Sequence, residues 1–264
     1  MRALIALILA CPVLVAGQQA PSPQPGQTPA SSKIWIGREA EFEQFLKTAE
    51  IKKIVDVGQG VTNPRRAFFA PGGLAGSGII KAIDAGPMAP FLDSWKSEVA
   101  AYELDRLLEM GMVPPTVERR IEGDRRSIQL WVENTQSLKK LEGQTAPDIG
   151  AWNRQVYRQR IFDDLIINDD RNAGNILVDQ AWNVILIDHS RAFDTRKTKM
   201  PAPLSKIDRP FFEKLKALDK ETLKARIGSY LAFGVDPILQ RRDRVVKELE
   251  RLIKEQGEAN VLIQ

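Results

Sequence analysis

The stretch from 161 to 193, IFDDLIINDDRNAGNILVDQAWNVILIDHSRAF, constrains this chain more than any other. Ile176, Leu177 and Val178 form one apolar run, residues 179–183 interrupt it, and Val184 to Ile187 form a second. Two short β-branched-rich runs around a polar turn predict a hairpin. A hairpin brings its own ends together, so Asn175 at the start and Asp188 at the end are expected to be neighbours. Asp170 lies five residues before Asn175, on the loop that enters the hairpin. Asp, Asn and Gly are also ordinary turn residues. The D-x-x-x-x-N spacing therefore gains its weight from the hairpin that follows it and from the Asp at the hairpin's far end.

Phosphoryl transfer needs this set of groups. One acid orients the attacking hydroxyl, while an Asn and a second Asp hold the metal ions that bridge the nucleotide phosphates. The same interval separates base and metal ligand in the kinase catalytic loop. Asp170 is thus the expected catalytic base, and Asn175 and Asp188 the expected metal ligands. Cys11 is the only cysteine and His189 the only histidine, so thiolate sites and most zinc or histidine-triad chemistries have no material. Oxygen ligands suit Mg²⁺ or Mn²⁺. A net charge of +4, from 38 basic and 34 acidic residues, is too weak a bias to imply nucleic acid. The basic clusters at 154–160, 196–199 and 240–244 read as solvated faces.

Residues 1–17 look like a secretory leader: Arg2, an apolar stretch, then small residues, with cleavage expected near Ala16 or Gly17. The apolar run is too short to span a membrane. Acylation at Cys11 is the lipoprotein alternative. Residues 18–32, with four prolines, read as a flexible spacer, so folding is expected to begin near Lys33. A leader implies an exported protein, periplasmic or extracellular, and that sits uneasily with an ATP-dependent reaction in a bacterium.

Residues 35–50 carry a helical pattern with Phe42, Phe45 and Leu46 on one side. Residues 51–57 and 66–69 read as strands around a turn, where Gly58 and Gly60 would let backbone amides approach a phosphate. Next comes GIIKAID, a strand with Lys81 among isoleucines. The helix that follows is capped by Ser94 and carries Trp95, Val99 and Tyr102 on one stripe. Glu98 is the expected partner that fixes Lys81 on the nucleotide phosphates, with Glu103 and Asp105 as rivals. Residues 126–132 alternate like a strand, and 133–147 are expected to be a polar connection between lobes. A long helix over 149–167 then leads into the loop of Asp170. Asp236 and Pro237 are expected to cap and start the last helix, and Gly257 to end it.

Three segments resemble an atypical kinase family of the secretory pathway, that of the Golgi casein kinase and the glycan-core xylose kinase. EVAAYELDRLLEMGMVPPTVER (98–119) is similar to the family's acidic helix, NDDR (168–171) to its catalytic stretch, and DHSRAF (188–193) to its metal-binding turn. Similarity to HipA-type and phosphatidylinositol 4-kinases is looser. The resemblance implies Asp170 as base, Asp188 as metal ligand, Lys81 on the phosphates and Glu98 near the metal or Lys81. The chain lacks the cysteines of the animal enzymes, and Asn175 stands where those enzymes differ.

The expected fold is α+β and two-lobed, a protein-kinase-like catalytic domain over 33–264. Its β-rich N-lobe covers about 33–133 and its mainly helical C-lobe about 134–264. The expected activity is transfer of the γ-phosphate of ATP to a hydroxyl of a protein or glycan, with Mg²⁺ or Mn²⁺. A pseudokinase that binds without turnover, and an enzyme that transfers AMP, both fit the same residues.

Overall fold

The computed structural model describes residues 30–58, 63–85, 89, 92–197 and 203–263. The expected leader with Cys11, most of the spacer and Gly60 lie outside them. The described spacer residues are Ala30, Ser31 and Ser32; Asp179 accepts from the Ser32 backbone N–H at 2.8 Å and from the Ser31 hydroxyl at 3.3 Å.

Helix α1 (Glu39–Thr48) precedes strands β1 (Ile51–Asp56), β2 (Arg65–Phe69) and β3 (Ser77–Lys81). Helix α2 (Trp95–Leu107) follows, then β4 (Thr116–Ile121) and β5 (Asp124–Leu130). These strands form one antiparallel sheet in the order β1-β2-β3-β5-β4. On one face Ala67, Phe69, Ile80, Ile128 and Leu130 bury a core with Trp35, Phe42 and Leu46. The opposite face carries Arg66, Phe68, Ile79, Lys81, Ser127 and Gln129, as the strand register requires. The helical pattern over 35–50 overreaches at its start. Trp35 to Gly37 form a turn, with Gly37 at φ 77, before α1 begins. Strand β4 has no counterpart in the sequence reading, because its charged residues are those of an edge strand, paired with β5 alone.

The connector after β5 is more structured than its polar composition suggests. It holds β6 (Thr135–Ser137) and a 3₁₀ turn over Leu138–Leu141 before helix α3 (Ile149–Leu165). β6 pairs with β7 (Ile176–Asp179), and β7 pairs with β8 (Val184–Leu186) in the expected hairpin. The remainder is β9 (Ile207–Asp208), α4 (Arg209–Ala217), α5 (Lys220–Ile227), α6 (Asp236–Gln256), α7 (Glu258–Val261) and β10 (Leu262–Ile263). In α6 the apolar stripe Ile238, Val245, Leu249 and Leu252 is buried. Asp236 is its first residue rather than its cap, Val235 standing before it. Among the described residues no helix is long and apolar enough to cross a membrane.

The basic clusters are not simply solvated. Arg158 pairs with buried Asp208, and Arg241 and Arg244 both reach buried Asp164. Long arginine side chains let surface helices α3 and α6 neutralise acids that lie beneath them.

Candidate active site

Three elements distant in sequence bring charged groups to one point. β3 ends on Lys81, whose ammonium donates to Glu98 Oε1 at 2.5 Å and to Asp188 Oδ1 at 2.5 Å. Glu98 comes from the first turn of α2, where Ser94 caps the helix by accepting from the Lys96 N–H. Asp188 follows β8 with φ 62, a left-handed conformation that Asp tolerates better than most residues. Of the rivals to Glu98, Asp105 instead accepts from the Met112 and Val113 N–H groups, and Glu103 pairs with Arg226.

Burial alone would lower the pKa of Lys81 and raise that of Glu98. The opposite charges outweigh it, holding Lys81 above its ordinary value and Glu98 down at about 2. Both groups are therefore charged at neutral pH. The side chain of Glu98 is 2% exposed and that of Asp188 40%, so the trio runs from the interior to the open cleft.

The loop carrying Asp170 is held by an arginine. Arg171 donates to buried Asp163 through Nε and Nη2, to the Asn175 carbonyl at 2.9 Å and to the Ile187 carbonyl at 2.7 Å. Its Nη2 also meets His189 Nε2 at 2.8 Å. One guanidinium thus ties the end of α3, the loop and both ends of the hairpin. Desolvation, aided by the Arg171 charge, pushes His189 towards its neutral form. Its backbone N–H donates to Glu98 Oε1 at 3.0 Å. Two further bonds dock α2 on the same turn: Ser94 N–H to the Ser190 carbonyl, 2.8 Å, and Ser97 hydroxyl to the Ala192 carbonyl, 3.2 Å.

Asp170 itself is half-exposed, and its carboxylate accepts from Arg191 Nη1 at 3.4 Å; Arg191 also binds Asp93 at 2.9 Å. The Asp170 carbonyl accepts from the Asn175 amide at 3.4 Å. The Ile187 N–H donates to the Asn175 carbonyl at 3.2 Å, so Asn175 and Asp188 are neighbours as the hairpin requires. Gly58 has φ 70 with open space where a Cβ would stand, which suits a close backbone approach. A cavity of about 490 Å³, lined by Leu138, Ala146, Trp152, Ala173 and Trp182 among others, lies beside the same loop without including the charged trio. Within the trio Lys81 bridges the two carboxylates directly.

The donors present fit a hard divalent cation. Asp188 Oδ1 is taken by Lys81 and by the Ser190 hydroxyl, while Oδ2 has no hydrogen bond among the described residues. Glu98 Oε2 is buried with no hydrogen bond among the described residues, and His189 Nδ1 lies 3.7 Å from it. Among the described residues no three His, Cys, Asp or Glu side chains converge on one point. Mg²⁺ commonly binds through one or two carboxylates plus substrate phosphates rather than in an all-protein cage, and Asp188 with Asn175 supplies that much.

No family model and no curated protein matches this sequence. Solved structures do. The Golgi casein kinase with Mn/ADP bound aligns with a TM-score of 0.63 at 14% identity, over 85% of this chain and 78% of that one. Hydra Fam20 with sugar gives 0.69 at 16%, over 85% and 91%. The Helicobacter pylori proinflammatory kinase CtkA gives 0.53 at 12%, over 80% and 98%. This chain has the fold of the atypical secretory-pathway kinases.

Within that kinase fold, sequence reasoning named Lys81, Glu98, Asp170, Asn175 and Asp188 but passed over Asp163, Arg171, His189 and Arg191. A signal for Asp163 was available. Two aspartates inside an otherwise apolar helix end, IFDDLII, need buried counter-ions. Arg191 had none, since its contact with Asp170 spans two loops.

Proposed function

We propose that the chain is a metal-dependent phosphotransferase that moves the γ-phosphate of ATP to a hydroxyl of a protein or a glycan. The observation that carries this is Lys81 joined to both Glu98 and Asp188 at 2.5 Å, one residue from each of three separate elements. A lysine so fixed is a point charge for phosphate oxygens. The likeness to a Golgi casein kinase solved with Mn/ADP and to hydra Fam20 solved with sugar supports the nucleotide and the acceptor classes.

Each side chain then has a task. Lys81, kept charged by its two acids, steers the phosphates. Asp188 through Oδ2 and Asn175 through its amide oxygen would hold Mg²⁺ or Mn²⁺, which would neutralise charge on the phosphates. Asp170 orients the acceptor hydroxyl. Its oxygen attacks the γ-phosphorus, the bond to the β–γ bridging oxygen breaks, ADP leaves, and the hydroxyl proton passes to Asp170. Arg191, whose Nη1 lies 3.4 Å from the Asp170 carboxylate, helps to direct that group towards the acceptor.

Labelled γ-phosphate ATP with Mn²⁺, offered to panels of proteins and glycans, tests the reading. Asp170→Ala should lower turnover by about 10²- to 10⁴-fold. Its melting temperature should stay put, because the side chain is 47% exposed. Undiminished transfer by that variant would remove Asp170 from the chemistry. Nucleotide binding without turnover by the wild type would make the chain a pseudokinase, and a product heavier by AMP would make it a nucleotidyl transferase.

A further inference from the structure

A second cavity, of about 300 Å³, shares no residue with the charged trio. Its polar walls are Lys33, Arg154, Gln155, Arg158 and Asn183, and its apolar walls Met110, Met112 and Ala151. No carboxylate lines it. The two amides are already engaged. Gln155 accepts from the Val184 N–H and donates to the Trp182 carbonyl, and the Asn183 amide donates to Asp179. That leaves three cations. Ala151, Arg154, Gln155 and Arg158 share one stripe of α3 at the i, i+3, i+4, i+7 spacing, so helix geometry brings both guanidinium groups to this wall. Tertiary contacts on either side bring Lys33 there. The Ser32 N–H is held by Asp179, and Trp35 is buried in the core of the sheet.

Like charges one helical turn apart repel. Arg158 is paired with Asp208 through Nε and Nη2, which leaves its Nη1 for another partner. Arg154 and the Lys33 ammonium have no ion pair or hydrogen bond among the described residues. The acids that act on Lys33 from α2 and from the hairpin are Asp105 and Asp179. Both are already bonded by backbone N–H groups, those of Met112 and Val113 for the first and of Ala181 and Asn183 for the second. Burial holds the Lys33 amine down at about 8, the Arg158 charge adds to that, and the two acids only partly offset it. Three cations gathered in a hollow with no acid on its wall carry an electrostatic cost that a bound anion would remove.

We propose that this cavity is a second ligand site, one that takes a phosphate group, free or as a phosphomonoester, between Lys33, Arg154 and Arg158. A tetrahedral dianion offers acceptors in several directions, which three separate cations can use at once. A carboxylate is planar and carries a single charge. Met110 and Met112 supply adaptable apolar surface for the body of an ester. The bound group would join the segment before α1 to α3 through one shared ion. The site stands independently of the phosphotransferase reading.

Calorimetric titration of the full chain, without metal, with inorganic phosphate and with phenyl phosphate tests this. Lys33→Met and Arg154→Gln should each weaken the binding seen in wild type by about tenfold or more. In the absence of phosphate, Lys33→Met should melt no lower than wild type, because it removes an unpaired amine and keeps the length of the chain. Its melt also reports that the variant is folded. Tighter binding of phenyl phosphate would mark an ester as the ligand, and equal or weaker binding the free ion. Unchanged phosphate affinity in both variants would overturn the proposal, as would no binding by wild type or a lower melt of Lys33→Met without phosphate. Mn²⁺–ATP affinity should be the same in all three proteins, and a parallel loss in the variants would deny that the site is separate. Failure of the phosphate titration alone leaves the phosphotransferase reading standing.

Discussion

Asp163 and Asp164 are adjacent in sequence and serve different faces of α3. Asp163 faces the loop and Arg171, while Asp164 faces Arg241 and Arg244 of α6. A helix turns about 100° per residue, so neighbours diverge and each acid finds its own cation. Glu98 makes the residue-scale electrostatics testable. Its folded pKa of about 2 lies below the ordinary 4.5, so it adds stability that is fully present above pH 4.5 and is lost as pH falls towards 2. Glu98→Gln should be less stable than wild type at pH 7, and the gap should close across that window in thermal melts. A gap that ignores pH would mean that the Lys81 pairing is not its source. Asp105 has the reverse sign. Burial, only partly offset by backbone N–H donors, raises its carboxyl to about 6. The charged form therefore costs the folded chain increasingly as pH rises from about 4 through 6. Asp105→Asn keeps an acceptor for Met112 and Val113, so its melting temperature should gain on wild type over that range. No gain would show that its charge is better compensated than burial suggests.

At the scale of elements, the loop at 168–175 is positioned by one buried ion pair more than by its own turn chemistry. Asp163 and Arg171 are 4% and 5% exposed, so removing either partner strands the other's charge in the interior. Arg171→Ala should cost about 3–5 kcal/mol in urea unfolding. The double variant with Asp163→Ala should cost much less than the two single losses summed. Strict additivity would deny the pair its role. The backbone near the site is strained as well. Ile167, Asp188 and Phe193 are non-glycine residues at φ 54, 62 and 65, and for β-branched Ile167 this is a real conformational cost. The Phe193 N–H donates to the Ile166 carbonyl at 2.5 Å, joining two of these turns where loop and hairpin exit meet.

Across the whole molecule the two hydrophobic cores interleave. Helix α2 belongs to the N-lobe by order, yet Ala100, Ala101, Tyr102 and Leu104 lie in the core shared with α3, α4 and α6. Ile185 of the hairpin lies in the core of the sheet. Such interlocking implies one cooperative transition rather than separate melting of two lobes. A ligand spanning the cleft should raise that single transition. Mn²⁺–ATP at a hundred times its Kd is worth about 2.7 kcal/mol, and Asp188→Ala should lose most of the shift. Retention of the full shift in that variant would detach Asp188 from nucleotide and metal. Local pattern was enough to read the hairpin, the Lys81 strand, the Ser94-capped helix and the buried stripe of α6, because each depends on neighbours within a few residues. It was also enough to place Asn175 beside Asp188, since a hairpin closes on itself. Edge strand β4, the Arg171 clamp and the Arg191 contact became visible only in the folded chain. The arginine contacts join side chains from separate turns that only the packed cores bring together, whereas β4 pairs with the adjacent β5 and was hidden by its charged composition rather than by distance.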